Sequence, residues 1–123
     1  MIPLADVQTW LNAQEGVEGV LVNWLPDQPA AVIVVAGYGG EPPTIEGAFE
    51  ATHFMIRCRA ATDVAAEAQA KIVHQSITGL DGSFTAGDTY VLFATTFAPP
   101  RFLGRDVENR PIYGTTYSFT TPT

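Results

Sequence analysis

The segment 49-FEATHFMIRCR-59 decides the fold, because its side chains alternate between two chemically different sets. One set is apolar or small and comprises Phe54, Ile56, Cys58 and Ala60. The other is more polar and comprises His53, Met55, Arg57 and Arg59. Alternation of this kind is typical of a β-strand with one buried face. We therefore expect a long strand from Phe49 to Arg59 whose first set faces the core.

A helix is predicted directly after this strand. Thr62 and Asp63 form a good helix start, and Gly79 is suited to the C-terminal cap. The stripe expected to face the sheet consists of Ala65, Ala68, Ile72, Ser76 and Ile77. Because most of these side chains are small, the helix is expected to lie close against the sheet.

Before the long strand, the sequence predicts a helix and a hairpin. Residues Ile2 to Gln14 carry an apolar stripe typical of a helix. Pro3 suits the first helical position, and Gly16 ends the helix. Two short apolar runs, 20–25 and 31–36, follow and are joined by a turn with a proline at each end. We expect these two runs to pair as an antiparallel hairpin.

Two further strands, Thr89 to Phe97 and Ile112 to Thr120, are predicted near the C-terminus, the second with small polar residues on a wetter face. The whole pattern indicates one α+β domain, residues 1–123, with a mostly antiparallel sheet and two α-helices packed on one face. Segments 20–25 and 115–121 contain no lysine, so we expect unprotected sheet edges that oligomerisation would cover.

Between the last two strands lies 97-FAPPRFLGRDVENRPIY-113, a long arginine-bearing β-hairpin loop with three of the five arginines. Its prolines and Gly104 predict a stiff loop. The side chains expected to be presented to a partner are Arg101, Phe102, Leu103, Arg105 and Arg110. An ordinary hairpin with solvated arginines explains the same residues. If the arginines lie at the surface, replacing Arg105 or Arg110 by Glu leaves the monomer folded.

Charge is distributed unevenly along the chain. The net charge is −7, and residues 1–56 contain seven acids and no lysine or arginine. Such asymmetry suits copies of one protein set side by side in a ring, with acidic and basic regions in contact. It argues against specific nucleic-acid binding, because an acidic protein repels phosphate.

The sequence predicts no catalytic, cofactor-binding or metal-binding site. His53 and His74 are isolated from each other and from suitable ligands, and Cys58 falls on the core face of its strand. No run is long and apolar enough to suggest a membrane span, and no signal peptide is expected at Met1.

The alternative belongs to another class of function. It is a small ligand-binding α+β domain with a pocket lined by Trp10, Trp24, Phe54 and Tyr117.

Motifs in the second half of the chain resemble a known family. The strand ending in 56-IRCRA-60, a helix of the form Asp63-x-x-Ala66-Glu67-Ala68 and the run from Pro99 to Tyr113 are similar to the minor capsid and tail-terminator proteins of long-tailed bacteriophages. The resemblance covers residues 49–121. It implies an α+β subunit without cofactor or catalysis, which forms a ring, usually a hexamer, on the finished tail tube and gives the head-side neck proteins a docking surface.

The implied partners are other copies of the chain, the tail-tube protein and the neck proteins, in a virion assembled in the host bacterial cytoplasm. Glu41, Glu46 and Glu50 are the acids expected to meet the arginines in a neighbouring copy. The resemblance does not account for the acidic first half, which could face either the lumen or the tail tube; one hypothesis is that an acidic lumen wall lets DNA pass without holding its phosphates. Other neck components, such as a head-completion or stopper protein, and a tail-tube subunit remain alternatives.

Overall fold

The computed structural model describes residues 2–41 and 49–122. Two α-helices and eight β-strands occur in these residues. In chain order they are α1 (Leu4–Asn12), β1 (Leu21–Val22), β2 (Val32–Glu41), β3 (Phe49–Arg59), α2 (Asp63–Thr78), β4 (Phe84–Ala86), β5 (Thr89–Val91), β6 (Phe93–Thr96), β7 (Arg101–Arg105) and β8 (Pro111–Pro122).

Six of the strands form one sheet in the order β1-β2-β3-β8-β6, and β7 pairs with the remaining length of the same edge of β8. Every pair in this sheet is antiparallel except β1 with β2. β4 and β5 form a separate hairpin. The predicted α+β class with a mostly antiparallel sheet is therefore confirmed.

Both helices pack on one face of the sheet, which we call the inner face. The core joins Val7, Trp10 and Leu11 of α1 and Ala70, Val73 and Ile77 of α2 to inner-face side chains of the sheet. Phe119 is its centre, since the rings of Phe54, Trp10 and Phe84 lie 4.9, 5.9 and 5.2 Å from it. The predicted strand Phe49–Arg59 is confirmed, as is the burial of its apolar set.

The opposite face of the sheet carries neither of these helices, and we call it the outer face. The wetter side of β8 was expected here, yet Thr116, Ser118 and Thr120 are at most 9% exposed. They are short side chains in register with larger neighbours, Met55 beside Thr116, His53 beside Ser118 and Phe93 beside Thr120. Their burial therefore comes from the flanking side chains of adjacent strands.

The predicted hairpin of β1 and β2 is wrong, because the two strands run parallel, with Leu21 opposite Val34. Asn23 ends β1 in a left-handed conformation (φ 60°) and accepts a hydrogen bond on Oδ1 from the Gly37 amide at 3.0 Å. The proline-bounded segment then returns toward the end of the sheet at which Arg59 lies, where β2 begins in the same direction as β1. A short connection with a proline at each end resembles a hairpin turn in the sequence, but its path is set by contacts with Arg59, about thirty residues away.

In α2 the capping prediction is confirmed, but only Ile77 of the expected buried stripe is buried. Thr62 accepts a hydrogen bond on Oγ1 from the Ala65 amide at 3.2 Å, and Gly79 is the C-cap. The buried residues are Ala66, Ala70, Val73 and Ile77. Alanines occur on both faces of this helix, so its apolar pattern did not show which face is buried.

Two predictions about the C-terminal strands also change. The expected strand Thr89 to Phe97 is divided into β5 and β6, and β5 pairs with β4, which was not predicted. β8 was expected at an edge but lies inside the sheet between β3 and the pair of β6 and β7. β1, in contrast, is an edge strand.

Candidate interface formed by the arginine hairpin

The arginine-bearing segment folds back onto the sheet as a hairpin. β7 pairs with the first residues of β8, with an irregularity between Phe102 and Gly104 where the glycine takes φ 143°. The turn is closed by the Asp106 amide donating to the Arg110 carbonyl at 3.0 Å, and Asn109 adopts φ 64° within it. The predicted stiffness thus rests on strand pairing as well as on the prolines.

Arg110 is a buried structural residue, only 9% exposed. Its Nε donates to Asp106 Oδ2 at 2.8 Å, and its Nη1 donates to the Asp27 carbonyl at 2.8 Å. The expectation that Arg110 is a surface cation is therefore wrong. Its side chain fills the hairpin turn instead of projecting from it, so replacement by Glu is no longer expected to leave the monomer intact.

Arg59, which sequence analysis placed only on the polar side of β3, completes this arrangement and is 2% exposed. Its guanidinium donates to the carbonyls of Pro26, Pro29 and Ala30, the last at 3.1 Å from Nε. Its Nη1 lies 3.3 Å from Asp106 Oδ2. Arg59 and Arg110 therefore tie the proline loop to the hairpin turn through Asp106. The only signal in the sequence for this role was the position of Arg59 at the end of a core strand, together with a proline-rich segment elsewhere in the chain.

The protonation of Asp106 is set by this environment. Burial alone would raise the pKa of its carboxyl group. Hydrogen bonds from the Arg110 amide and guanidinium and from the Glu108 amide, together with the Arg110 charge, outweigh burial and hold that pKa below its usual value. Asp106 is consequently the anionic centre of the hairpin turn at neutral pH.

The remaining predicted interface side chains are at least partly accessible. Phe102 is 48% exposed and packs its ring against Tyr113 at 5.6 Å, while Leu103 is half-buried. Arg105 lies over the Phe102 ring at 5.6 Å and pairs with Asp63 at 3.0 Å. Arg101 is exposed, and no ion-pair partner for it occurs among residues 2–41 and 49–122. Phe102 and Arg105 lie on the side of the sheet that carries α2, whereas Arg101 stands opposite Gly114 on the outer face, so the accessible side chains are divided between the two faces.

Of the three acids predicted to meet the arginines, only Glu50 has a described side chain. Glu46 lies outside the described residues, as does the side chain of Glu41. Glu50 is half-buried, has a partner, and stands opposite Thr121, at the far end of β8 from Arg105, which stands opposite Pro111. Contact between these acids and the arginines of a neighbouring copy stays a prediction.

Outside the hairpin, Cys58 and His74 have the surroundings of structural residues rather than of reactive ones. Burial raises the pKa of the Cys58 thiol to about 12, which disfavours the thiolate. His74 Nδ1 lies 2.9 Å from the Tyr117 hydroxyl, and burial lowers the pKa of this imidazole. Among the described residues, no cluster of three His, Cys, Asp or Glu side chains is suited to a metal ion. No helix in that part of the chain is long and apolar enough to span a membrane.

The alternative ligand pocket does not form as predicted. Trp10, Phe54 and Tyr117 are packed in the core with at most 8% exposure, whereas Trp24 is 67% exposed. These four side chains therefore do not line a common cavity, and the ligand pocket expected from them is absent from the described residues.

Comparison with known families connects this fold to a biological class. A family model described as bacteriophage tail terminator protein matches residues 5–122. The chain belongs to this tail terminator family. The match includes α1 and the parallel pair β1–β2, which the motif resemblance over residues 49–121 did not reach. A search of curated proteins found no match.

In this protein the arginine hairpin is positioned by contacts within the same chain. Arg59 and Arg110 support it from inside, and Arg101, Phe102 and Arg105 remain accessible. These four arginines therefore divide into a structural pair, Arg59 and Arg110, and a surface pair, Arg101 and Arg105. Only the surface pair is suited to contacts with another protein of the tail or neck.

Proposed function

We propose that the protein is a tail terminator which forms a ring, as a hexamer, on the end of the completed tail tube and joins it to the head-side neck proteins. The match to the tail terminator family over residues 5–122 carries this proposal. The rigid hairpin supports it, because a surface held in one conformation loses little entropy on binding. β1 also covers only a short length of the outer edge of β2, an arrangement that favours assembly.

The proposed role is structural and needs no catalysis or cofactor. Its partners are further copies of the chain, the tail-tube protein and the neck proteins, in a virion built in the host bacterial cytoplasm. DNA would cross the ring lumen without specific recognition. Arg101, Phe102, Leu103 and Arg105 are the proposed contacts to a neighbour, and Glu41, Glu46 and Glu50 are candidate acidic partners for Arg105.

The test is tail length in an infection by a phage whose copy of this gene carries an early stop codon. We expect tubes of variable, extended length that fail to join heads, since nothing stops the addition of tube subunits. Expression of the intact protein from a plasmid should restore uniform tails and joined particles. Electron microscopy of purified tails measures both results.

Two other outcomes would contradict the proposal. Tails of normal length that fail to join filled heads would indicate a stopper or head-completion protein. Complete absence of tubes would indicate a tube subunit. Labelling the protein with a gold-binding tag distinguishes these roles independently, because a terminator is expected at one end of an isolated tail and a tube subunit along its whole length.

A further inference from the structure

Three exposed phenylalanines lie on the outer face of the sheet: Phe49, Phe93 and Phe97. These side chains are 48%, 49% and 55% exposed, and Phe97 packs edge-on against His53 at 5.0 Å. At roughly 200 Å² for each phenylalanine, the three expose roughly 300 Å² of apolar surface. A standard protein interface covers about 800 Å² on each partner, so together they would supply over a third of one.

A pair of arginines lies on the same face. Arg57 and Arg101 stand on either side of Gly114 in one cross-strand row, with no side chain between them. The Nε of Arg57 is buried and makes no hydrogen bond, and neither arginine forms an ion pair with any described residue. Two like charges close together, one with an unsatisfied donor, are stabilised when an acid from outside reaches them.

A complementary surface lies on the opposite side of the molecule, on the outer side of α2. Val64 is 82% exposed there, with Ala68 exposed one turn later. Asp63 and Glu67 adjoin these residues, and their side chains remain 50% and 43% exposed although they pair with Arg105 and Lys71. This part of the helix therefore offers small apolar side chains next to two carboxylates.

We propose that the outer sheet face of one subunit docks on the outer side of α2 in the next copy of the chain, with Arg57 and Arg101 meeting Asp63 and Glu67. The inference rests on the proposed ring. Because α2 packs on the inner face, the two surfaces point in opposite directions, and a copy can bind one neighbour through each. Contacts of this front-to-back kind generate closed rings when the rotation between neighbours closes.

Charge reversal at this contact tests the proposal. Arg101→Glu and Glu67→Lys should each weaken self-association at least about tenfold, since each places like charges opposite one another. The double variant Arg101→Glu/Glu67→Lys restores opposite charges in every contact of the ring and should regain most of the association. Native mass spectrometry over a concentration series, alone and with purified tail tubes, measures the fraction assembled.

An aromatic pair of variants tests the apolar part with a matched control. Phe97→Glu should prevent assembly, whereas Tyr90→Glu, which alters a similarly exposed aromatic residue in β5, should not. Circular dichroism melting confirms that each variant is folded. Retained assembly of Phe97→Glu, or no recovery in the charge-reversed double variant, would overturn the proposed contact.

Failure of this contact can be distinguished from failure of the proposed function. If the wild-type protein assembles and caps tubes while all the face variants do the same, only the docking surface is wrong. If the variants still form rings but no longer bind tubes, the outer face contacts the tube and the proposal is overturned. A wild-type protein that stays monomeric with and without tubes would overturn the ring as well.

Discussion

At the scale of single residues, arginines that look equivalent in the sequence have different roles. Arg110 and Arg101 lie in the same hairpin, yet one is 9% exposed and bonded within the subunit and the other is exposed. Hydrogen-bond acceptors determine this difference: Asp106 and the Asp27 carbonyl surround Arg110. Residue type alone therefore does not identify the interface residues of the hairpin.

Removal of the Arg110 side chain should destabilise the subunit. In Arg110→Ala, Asp106 loses its principal partner while remaining largely buried, so we expect a loss of about 3 kcal/mol in the free energy of unfolding. Urea denaturation followed by circular dichroism measures it. Arg101→Ala is the matched control and should change that free energy by no more than about 0.5 kcal/mol. Equal effects of the two variants would contradict the assignment of a structural and a surface arginine.

Acid should destabilise the folded subunit partly through Asp106. Its folded-state pKa lies below the unfolded value, so its contribution to stability is complete above about pH 4 and is lost as the pH falls through the folded pKa. Asp106→Asn should therefore be less stable at pH 7 and show a shallower loss between pH 4 and pH 2. Urea midpoints over this range measure the slope, and an unchanged slope would show that other carboxyl groups dominate.

At the scale of secondary-structure elements, local signals predicted β3 and the caps of α2 correctly. Alternation from Phe49 to Arg59 and the pair Thr62/Gly79 act within a few residues, so the sequence contains what determines them. The direction of β1 relative to β2 was not predictable in this way. It depends on Arg59 binding carbonyls about thirty residues away, and no local pattern encodes that contact.

The candidate site was predicted to a similar extent. The sequence identified the hairpin and its accessible side chains Arg101, Phe102 and Arg105, because prolines, glycine and arginines are themselves local signals. It missed the buried role of Arg59 and Arg110 and the three exposed phenylalanines on the outer face. Those features arise from pairing between strands distant in sequence, which places Phe93 beside Thr120 and Arg57 beside Gly114.

Close packing of β3 against β8 makes Gly114 a sensitive position. A Cβ atom on Gly114 would overlap the Ile56 carbonyl oxygen, so Gly114→Ala must push the two strands apart. We expect destabilisation of about 3 kcal/mol, measured by thermal or urea unfolding. Gly37→Ala is the control in β2, where the added atom would meet only Leu4 Cδ1 at an ordinary 3.5 Å and should have a much smaller effect.

At the scale of the whole molecule, both helices share one core with the sheet through Trp10, Phe54 and Phe119. We therefore expect the subunit to unfold in a single cooperative transition. Trp24→Phe leaves Trp10 as the only tryptophan and makes its emission a probe of the core. Unfolding curves from this emission and from far-ultraviolet circular dichroism should coincide, and separate midpoints would contradict the single-domain prediction.

The buried Cys58 has a practical consequence for studying assembly. It is the only cysteine in the chain, and burial keeps its thiol protonated and shielded from alkylating reagents. A cysteine introduced at an exposed position outside the proposed contact, such as Ala13 or Thr85, would be labelled selectively in the folded protein, without removal of the native thiol. Fluorescent donor and acceptor dyes at these two sites would then report the distance between neighbouring copies in the proposed ring.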